Sequence, residues 1–234
     1  MRLFSRLFAR VPQTEEAQRA RRIWAQVGLP DTQGALSRAR CVVVDTETGG
    51  LDPYRDGLIS IGACRIEAGA VTLTDAFDVL LQQDRPSDTG NVLVHGIGHA
   101  AQAAGTRPET ALVAYLAFAR RDVMVGFHTR FDLEVLHRAM QDCLGIVYRP
   151  AYLDLALIMP TLFDLPRAGQ WSLDQWLAHF GLDAFARHSA LSDAFVSAQL
   201  CLMGFARAAQ SGHDSLQHLL RLQKRVLDQR LGQS

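Results

Sequence analysis

The sequence has no membrane-length apolar run, few cysteines and no net charge. No apolar segment approaches the roughly 18 residues that a membrane span needs, and the first ten residues, MRLFSRLFAR, are too charged for a secretory signal. The four cysteines are scattered and form no CxxC pair, which is typical of free thiols in a reducing compartment and does not indicate a zinc site. We therefore expect a cytoplasmic protein that does not bind membranes, with a short amphipathic helix at residues 1–10.

The zero net charge conceals an uneven distribution along the chain. Residues 1–40 hold eight arginines against three acids, and residues 205–234 hold four arginines and one lysine against two aspartates. Residues 41–204 hold eleven arginines against nineteen acids. A protein that only binds a phosphate backbone needs a basic body. The acidic middle indicates instead a site whose carboxylates hold cations.

Apolar periodicity and turn residues predict an α/β fold. Three successive strands form an antiparallel meander, and later strands alternate with helices, so we expect one mixed sheet with helices on both faces. Residues 82–107 are predicted to be irregular. The predicted strands are 41–46, 58–67, 70–81, 123–127 and 151–155. The predicted helices are 14–27, 109–121, 131–145, 156 to about 163, 172–182, 189–209 and 213–231.

The same pattern predicts three parts of the chain. Residues 1–38 form a helical N-terminal extension, residues 39–210 form the main domain, and residues 211–234 form a basic C-terminal helix. The chain shows no internal repeat and no low-complexity segment. Chemistry is therefore expected within the main domain.

Two acids close the first predicted strand. The stretch CVVVDTETGGLDP at residues 41–53 ends its apolar run with Asp45 and Glu47, before the glycines and proline of a turn. Because side chains at i and i+2 of a strand point to the same side, the two carboxylates face together. An unpaired buried carboxylate is costly, so a compensating cation is expected. A D-x-E pair on its own also fits a solvated strand end.

Two further acids and a histidine lie at later element boundaries. Asp132 begins the helix after the strand VMVGF, where the helix dipole alone favours an acid. Asp193 lies in the first turns of an apolar helix, and His188 lies in the loop before it, where a lone histidine is more often a surface residue than a catalyst. Four such carboxylates suit two hard divalent cations, Mg²⁺ or Mn²⁺, which together can hydrolyse a phosphodiester. A nearby histidine can accept the proton of the attacking water.

Five segments occur in an order that resembles a known family. They are DTETGGLDP, DGLISIGA, VHGIG, GFHTRFDLEVL and HSALSDA, and they extend from about Arg40 to Phe205. In this arrangement the chain resembles the DEDDh 3′–5′ exonucleases, and in particular their proofreading branch, the epsilon subunits of bacterial DNA polymerase III. The resemblance implies a ribonuclease H-like fold with a five-stranded mixed sheet.

The resemblance also implies roles for individual residues. Asp45 would bridge two metal ions, and Glu47 and Asp193 would complete the site of the ion that activates water. Asp132 would hold the second ion, and His188 would be the general base. The residues that would hold the 3′-terminal nucleotide or line the substrate cleft are Thr46, Thr48, Leu51, His95 and Phe131.

The function implied is release of nucleoside 5′-monophosphates from the 3′ end of DNA, single-stranded or mismatched, in proofreading or repair. The DTETxGLDP form of the first motif favours DNA, and an RNA-trimming exonuclease of the same family is the alternative. An alternative of another class is a catalytically silent nucleic-acid-binding or scaffold module. The presence of suitable residues at all five catalytic positions argues against it. A DNA polymerase subunit is an expected partner. The sequence leaves the oligomeric state and the processivity open.

Overall fold

A single five-stranded sheet forms the centre of the molecule. The structure is a computed structural model that describes residues 12–84, 89–165, 171–184 and 187–232, so the helix predicted at residues 1–10 lies outside the described residues. The strands are β1 (Arg40–Thr48), β2 (Leu58–Glu67), β3 (Ala70–Leu80), β4 (Val123–Gly126) and β5 (Tyr152–Asp154). Their order is β3-β2-β1-β4-β5. Neighbours pair antiparallel from β1 to β3 and parallel from β1 to β5, so the prediction of a five-stranded mixed sheet is confirmed.

Helices surround this sheet. They are α1 (Glu15–Gln26), α2 (Thr89–His95), α3 (His99–Ala103), α4 (Pro108–Ala119), α5 (Arg130–Leu144), α6 (Leu155–Leu162), α7 (Leu173–Phe180), α8 (Ala190–Gln210) and α9 (Leu216–Leu231). The prediction that residues 82–107 are irregular is wrong, because α2 and α3 lie there. Both are short, and apolar periodicity is only visible over windows of about 11 residues or more. No helix in the described parts of the chain is long and apolar enough to cross a membrane.

The alternation of side chains along β1 explains why helices cover both faces. Val43 packs in one apolar cluster with Val196 of α8, together with residues of α6, α7 and α9. Val44 packs in a second cluster with Leu136 of α5, together with residues of α1 and α4. Because consecutive residues of a strand point to opposite faces, one run of valines buries itself against two helical layers.

The two ends of the described chain pack onto these layers. In α1, the Arg21 Nη1 donates a 2.7 Å hydrogen bond to the carbonyl oxygen of Leu144 at the end of α5. In α9, Leu219 and Leu222 are buried in the same cluster as Val43. Whether residues 39–210 fold as a separate domain stays a prediction.

Three parallel strands end at one edge of the sheet, which we call the carboxyl edge. The register pairs Val43 of β1 with Val125 of β4, and Gly126 of β4 with Asp154 of β5. The residues that follow each strand therefore meet at this edge. In open α/β sheets, sites are commonly built outside the carboxyl ends of the strands.

Candidate active site

Three of the predicted site residues meet at the carboxyl edge. Asp45 and Glu47 project from the same side of β1, and Asp193 comes to them from the first turn of α8. One carboxylate oxygen from each residue lies within 4.8 Å of the others. Asp193 is buried, and the other two are partly buried. We call these three residues, together with Asp132, the carboxylate cluster.

The close approach of α8 to the sheet depends on Gly62. This residue lies directly opposite Asp45 on β2. A Cβ atom at position 62 would lie 2.0 Å from the backbone nitrogen of Leu191 and 2.1 Å from the carbonyl carbon of Ala190, which is too close for any side chain. Gly62 thus lets the first turn of α8 rest on the strand and places Asp193 beside Asp45. Sequence reasoning missed it, although a glycine inside a strand often marks a close backbone approach.

Asp132 reaches the same edge from the opposite helical layer. It lies in the first turn of α5, is buried, and accepts a 2.7 Å hydrogen bond at Oδ1 from the Thr46 hydroxyl. Thr46 lies between Asp45 and Glu47 on β1, so its side chain points to the other face of the sheet. The hydrogen bond therefore orients the Asp132 carboxylate. Thr46, expected to hold substrate, uses its side chain for this task.

Burial and mutual repulsion disfavour the ionised forms of these acids. Burial raises the pKa of Asp45 well above its ordinary value, and the negative charges of Asp132 and Asp193 raise it further. The pKa of Glu47 rises to about 7, mainly through burial and then through Asp193. Burial also raises the pKa of Asp132 to about 7, although the hydrogen bond from Thr46 opposes the shift. A bound cation would reverse these shifts by stabilising the carboxylates.

A fifth acid, Asp154, organises the turn that leads to Asp132. It is buried at the end of β5 and accepts hydrogen bonds at Oδ1 from the backbone of His128, 2.9 Å, and of Ala156, 3.0 Å. His128 has a φ of +60°, which is uncommon for a residue with a Cβ atom. Asp154 thus holds the β4–α5 turn in this conformation. The sequence analysis did not identify Asp154. The signal that could have found it is an acid at the end of a predicted strand, the same position that Asp45 and Glu47 occupy on β1.

His188 lies immediately before α8, and its side chain is exposed. Its backbone N–H donates a 3.1 Å hydrogen bond to Oδ2 of Asp193, with a φ of +62°. The contact that ties His188 to the carboxylate cluster is therefore made by its backbone. The neighbouring Arg187 forms ion pairs with Asp193 and with Asp174 of α7, the latter at 2.6 Å. These bonds fasten the loop that carries the imidazole.

Thr48 and Leu51 were both expected to contact substrate; Thr48 is the last residue of β1, and Leu51 lies in the turn that follows it. The Thr48 hydroxyl donates a 2.6 Å hydrogen bond to the carbonyl oxygen of Gly50, which closes the turn. Leu51 in that turn is 93% exposed. Leu51 is therefore exposed at the surface of the turn, and the Thr48 side chain is engaged within it.

His95 and Phe131 occupy different surroundings. His95 is buried at the end of α2, and its Nδ1 accepts a 3.0 Å hydrogen bond from the backbone of Ile97. It lines a cavity of about 230 Å³ with Ser189, the residue after His188. Phe131 is partly buried and packs against the apolar cluster of α4 and α5. His95 thus lies close to the candidate site, and Phe131 serves in part as core.

Comparison with known proteins finds similar sequences. Residues 42–201 match the family model of the RNase_T type, described as Exonuclease. The chain is 30% identical over 164 residues to the PolC-type DNA polymerase III of Thermotoga maritima, which covers 70% of this chain but only 12% of that protein. It is 24% identical over 159 residues to DNA polymerase III subunit epsilon of Aquifex aeolicus, covering 68% of this chain and 77% of that one. The chain thus spans about an eighth of the PolC-type relative and most of the epsilon subunit.

A solved structure shows the same fold. Escherichia coli Exonuclease I in complex with a dT13 oligonucleotide superposes with a TM-score of 0.62 and 18% identity, over 74% of this chain and 42% of that chain. At this identity the likeness concerns the fold. The ribonuclease H-like fold predicted from the sequence is confirmed.

Proposed function

The chain belongs to the exonuclease family, and on that premise we propose that it is a metal-dependent 3′–5′ exonuclease acting on DNA ends. The observation that carries the proposal is the convergence of Asp45, Glu47 and Asp193 within 4.8 Å. Asp132 adds a fourth carboxylate from the other side of the sheet. These are the acids that the resemblance assigns to a DEDDh site, with His188 as the fifth member.

The carboxylate cluster fits divalent cations. All four ligating groups are carboxylates, and hard ions such as Mg²⁺ and Mn²⁺ prefer oxygen ligands. The acids repel one another and are partly or fully buried, and Arg187 supplies a single positive charge beside them, so a bound cation would stabilise their ionised forms further. Asp45 would contact both ions, Glu47 and Asp193 would complete one site, and Asp132 would hold the other. Two such ions supply an activated water and stabilise the leaving oxygen of a phosphodiester.

The protein's own residues would then handle the proton and the substrate. His188 would accept the proton of the attacking water while the bond between phosphorus and the 3′ oxygen of the preceding nucleotide breaks. Its position on a loop fastened to Asp193 supports this role, because the imidazole is carried next to a metal ligand. Leu51 would contact the terminal base. Hydrolysis in this direction releases a nucleoside 5′-monophosphate and leaves a new 3′ hydroxyl.

DNA is the proposed substrate, and a DNA polymerase is the proposed partner. The two sequence relatives described above are a PolC-type DNA polymerase III and, from another organism, a DNA polymerase III subunit epsilon, and the structural relative was solved with a DNA oligonucleotide. A cytoplasmic location follows from that role. The proposal assigns this chain to trimming of single-stranded or mismatched 3′ ends, in proofreading or repair.

Digestion of matched substrates tests the proposal. We would label the 5′ end of a single-stranded DNA, of a duplex with a mismatched 3′ end, and of an RNA with the same sequence, and follow each with Mg²⁺ or Mn²⁺. The expected result is stepwise shortening of both DNAs from the 3′ end, release of mononucleotides, and no reaction in EDTA. Preferential shortening of the RNA would instead favour the RNA-trimming alternative. Absence of shortening on every substrate would contradict an exonuclease.

A further inference from the structure

Helix α9 lies along the open edge of the sheet at β5. The side-chain Oε1 of Gln223 accepts a 2.6 Å hydrogen bond from the backbone N–H of Asp154, and its Nε2 donates a 3.0 Å bond to the carbonyl oxygen of Tyr152. A side chain thus takes the place of a sixth strand, and the helix covers an edge that would otherwise be open. This contact fixes where the helix runs relative to the site.

Helix α9 runs toward the carboxyl edge. Just before the helix, Ser215 forms a β-bridge with Ala35, and the carbonyl oxygen of Asp214 accepts a 2.7 Å bond from the backbone of Leu36. Those partners precede β1, so α9 starts at the edge where the parallel strands begin. By Gln223 it has reached Asp154, the last residue of β5. The second half of α9 therefore lies beside the carboxyl edge.

The sheet register gives the distance from this point to the carboxylate cluster. Asp154 pairs with Gly126, and Val125 pairs with Val43, so Asp154 is level with the residue before Asp45. Two strand spacings separate them, or about 10 Å. Helix α9 lies one layer further out. A nucleic-acid strand that leaves the carboxylate cluster in this direction reaches α9 within a few nucleotides.

The exposed side of α9 carries unpaired cations just before and just after Gln223 in the sequence. Arg221, Lys224 and Arg225 are exposed, and their spacing places them on one side of the helix. None of the three forms an ion pair with any residue that the structure describes. Asp228 follows on the same side, so the group retains a charge of +2. We call Arg221, Lys224 and Arg225 the basic face.

We propose that the basic face binds the sugar–phosphate backbone of the single strand upstream of its 3′ end, an inference that rests on the proposed function. The body of the protein carries eleven arginines against nineteen acids over residues 41–204, so it repels an incoming polyanion. Cations without protein partners are suited to phosphate, because no ion pair must be broken when they bind. The basic face supplies affinity and leaves the chemistry to the carboxylate cluster.

The test compares substrates of two lengths in a charge-neutralised variant. Arg221→Gln, Lys224→Gln and Arg225→Gln are combined, and binding and turnover are measured on a dinucleotide and on a DNA strand of about 16 nucleotides. Dinucleotide turnover should stay at the wild-type rate. Affinity for the long strand should fall on the order of tenfold to hundredfold at 0.1 M salt. The slope of log affinity against log salt should fall by about 2, since each single-strand phosphate contact contributes about 0.7.

Two matched controls make the result specific. Neutralising Arg19, Arg22 and Arg38 removes equal charge from exposed positions in α1 and before β1, and should leave the salt slope within about 0.5 of the wild type. A triple variant that keeps the charge, Arg221→Lys with Lys224→Arg and Arg225→Lys, should bind like the wild type. Equal losses in both neutralised variants, or no loss in the α9 variant, would overturn the inference while leaving exonuclease activity intact. A wild type that neither binds nor shortens any strand would overturn the proposed function and this inference together.

Discussion

Burial of the carboxylate cluster makes the metal-free protein sensitive to pH. The ordinary pKa values of Glu47 and Asp132, 4.5 and 3.8, rise to about 7 in the folded protein. At pH values between the ordinary and the raised pKa, the folded state binds more protons than the unfolded state. The free energy of unfolding therefore falls as pH rises from about 4 to 7. In EDTA, the melting temperature should therefore be lower at pH 8 than at pH 5. A loss of about 1 kcal/mol corresponds to about 2–4 °C for a chain of this size.

Metal and a charge-neutral variant provide the controls for this effect. Mn²⁺ should raise the melting temperature much more at pH 8, where the carboxylates are ionised, than at pH 5. Asp45→Asn removes one charge from the cluster and should show a smaller decrease between the two pH values. Identical pH dependence in the wild type and Asp45→Asn would show that the acids do not repel one another as their burial implies.

Substitution of His188 should impair proton transfer and leave metal binding nearly unchanged. A general base contributes typically about 10²–10⁴-fold, so His188→Ala should be slowed by that factor. Mn²⁺ affinity, measured by titration calorimetry, should remain within about threefold, because Asp193 accepts its hydrogen bond from the backbone at position 188. The dependence of rate on pH should differ between the wild type and the variant, because only the wild type carries a proton acceptor at this position. Slowing of less than tenfold with an unchanged pH profile would mean that His188 is only a loop residue.

At the scale of elements, the site depends on how closely α8 rests on β2. Gly62→Ala would place a Cβ atom 2.0 Å from the backbone of Leu191 and push the first turn of α8 outward. We expect Asp193 to leave the cluster, Mn²⁺ affinity to fall by at least about tenfold, in the range seen when metal-site geometry is disturbed, and turnover to be lost. Calorimetry with Mn²⁺ and a melting curve together distinguish a misplaced helix from an unfolded chain.

Gly28→Ala is the matched control, because no atom lies within 4 Å of the corresponding Cβ position. It should keep both metal affinity and activity. If Gly62→Ala bound Mn²⁺ as tightly as Gly28→Ala, the position of α8 would not depend on the missing side chain.

The sequence predicted the elements that carry strong periodicity. Strand β2 was placed at its observed bounds, Leu58–Glu67, and the helix predicted at 172–182 is observed as α7, Leu173–Phe180. The short helices α2 and α3 were missed because each has too few turns to show an apolar repeat. A local sequence pattern reflects the secondary structure that a segment favours, and this pattern is weak when the segment is short.

The candidate site was predicted in part for a similar reason. The D-x-E pair follows from strand alternation, so Asp45 and Glu47 were expected on one side, as observed. Asp154 and Gly62 matter only through tertiary contacts, one with the turn at His128 and one with the start of α8. No periodicity in the sequence encodes such contacts. The same holds for Thr46, whose hydroxyl proved to orient Asp132.

On the scale of the whole molecule, the site proposed for chemistry and the surface proposed for affinity are separate. The carboxyl edge gathers acids from β1, α5 and α8 into one cluster. The exposed cations of α9 lie at the flank of the same edge and form no ion pair with those acids. A polyanionic substrate would therefore meet positive charge along its length and a cation-binding site at its end. Because both features lie at one edge, a single strand can use them at once.

The most direct test measures metal binding and DNA hydrolysis in the same protein preparation. Titration calorimetry with Mn²⁺ is carried out on the wild type and Asp45→Asn, and the same samples are assayed on 5′-labelled single-stranded DNA. We expect the wild type to bind Mn²⁺ and to shorten the DNA strand from its 3′ end. We also expect binding weakened by at least about tenfold, with no shortening, in Asp45→Asn at unchanged or higher melting temperature. Shortening by Asp45→Asn at the wild-type rate, or wild-type shortening that persists in EDTA, would contradict the proposed metal-dependent mechanism.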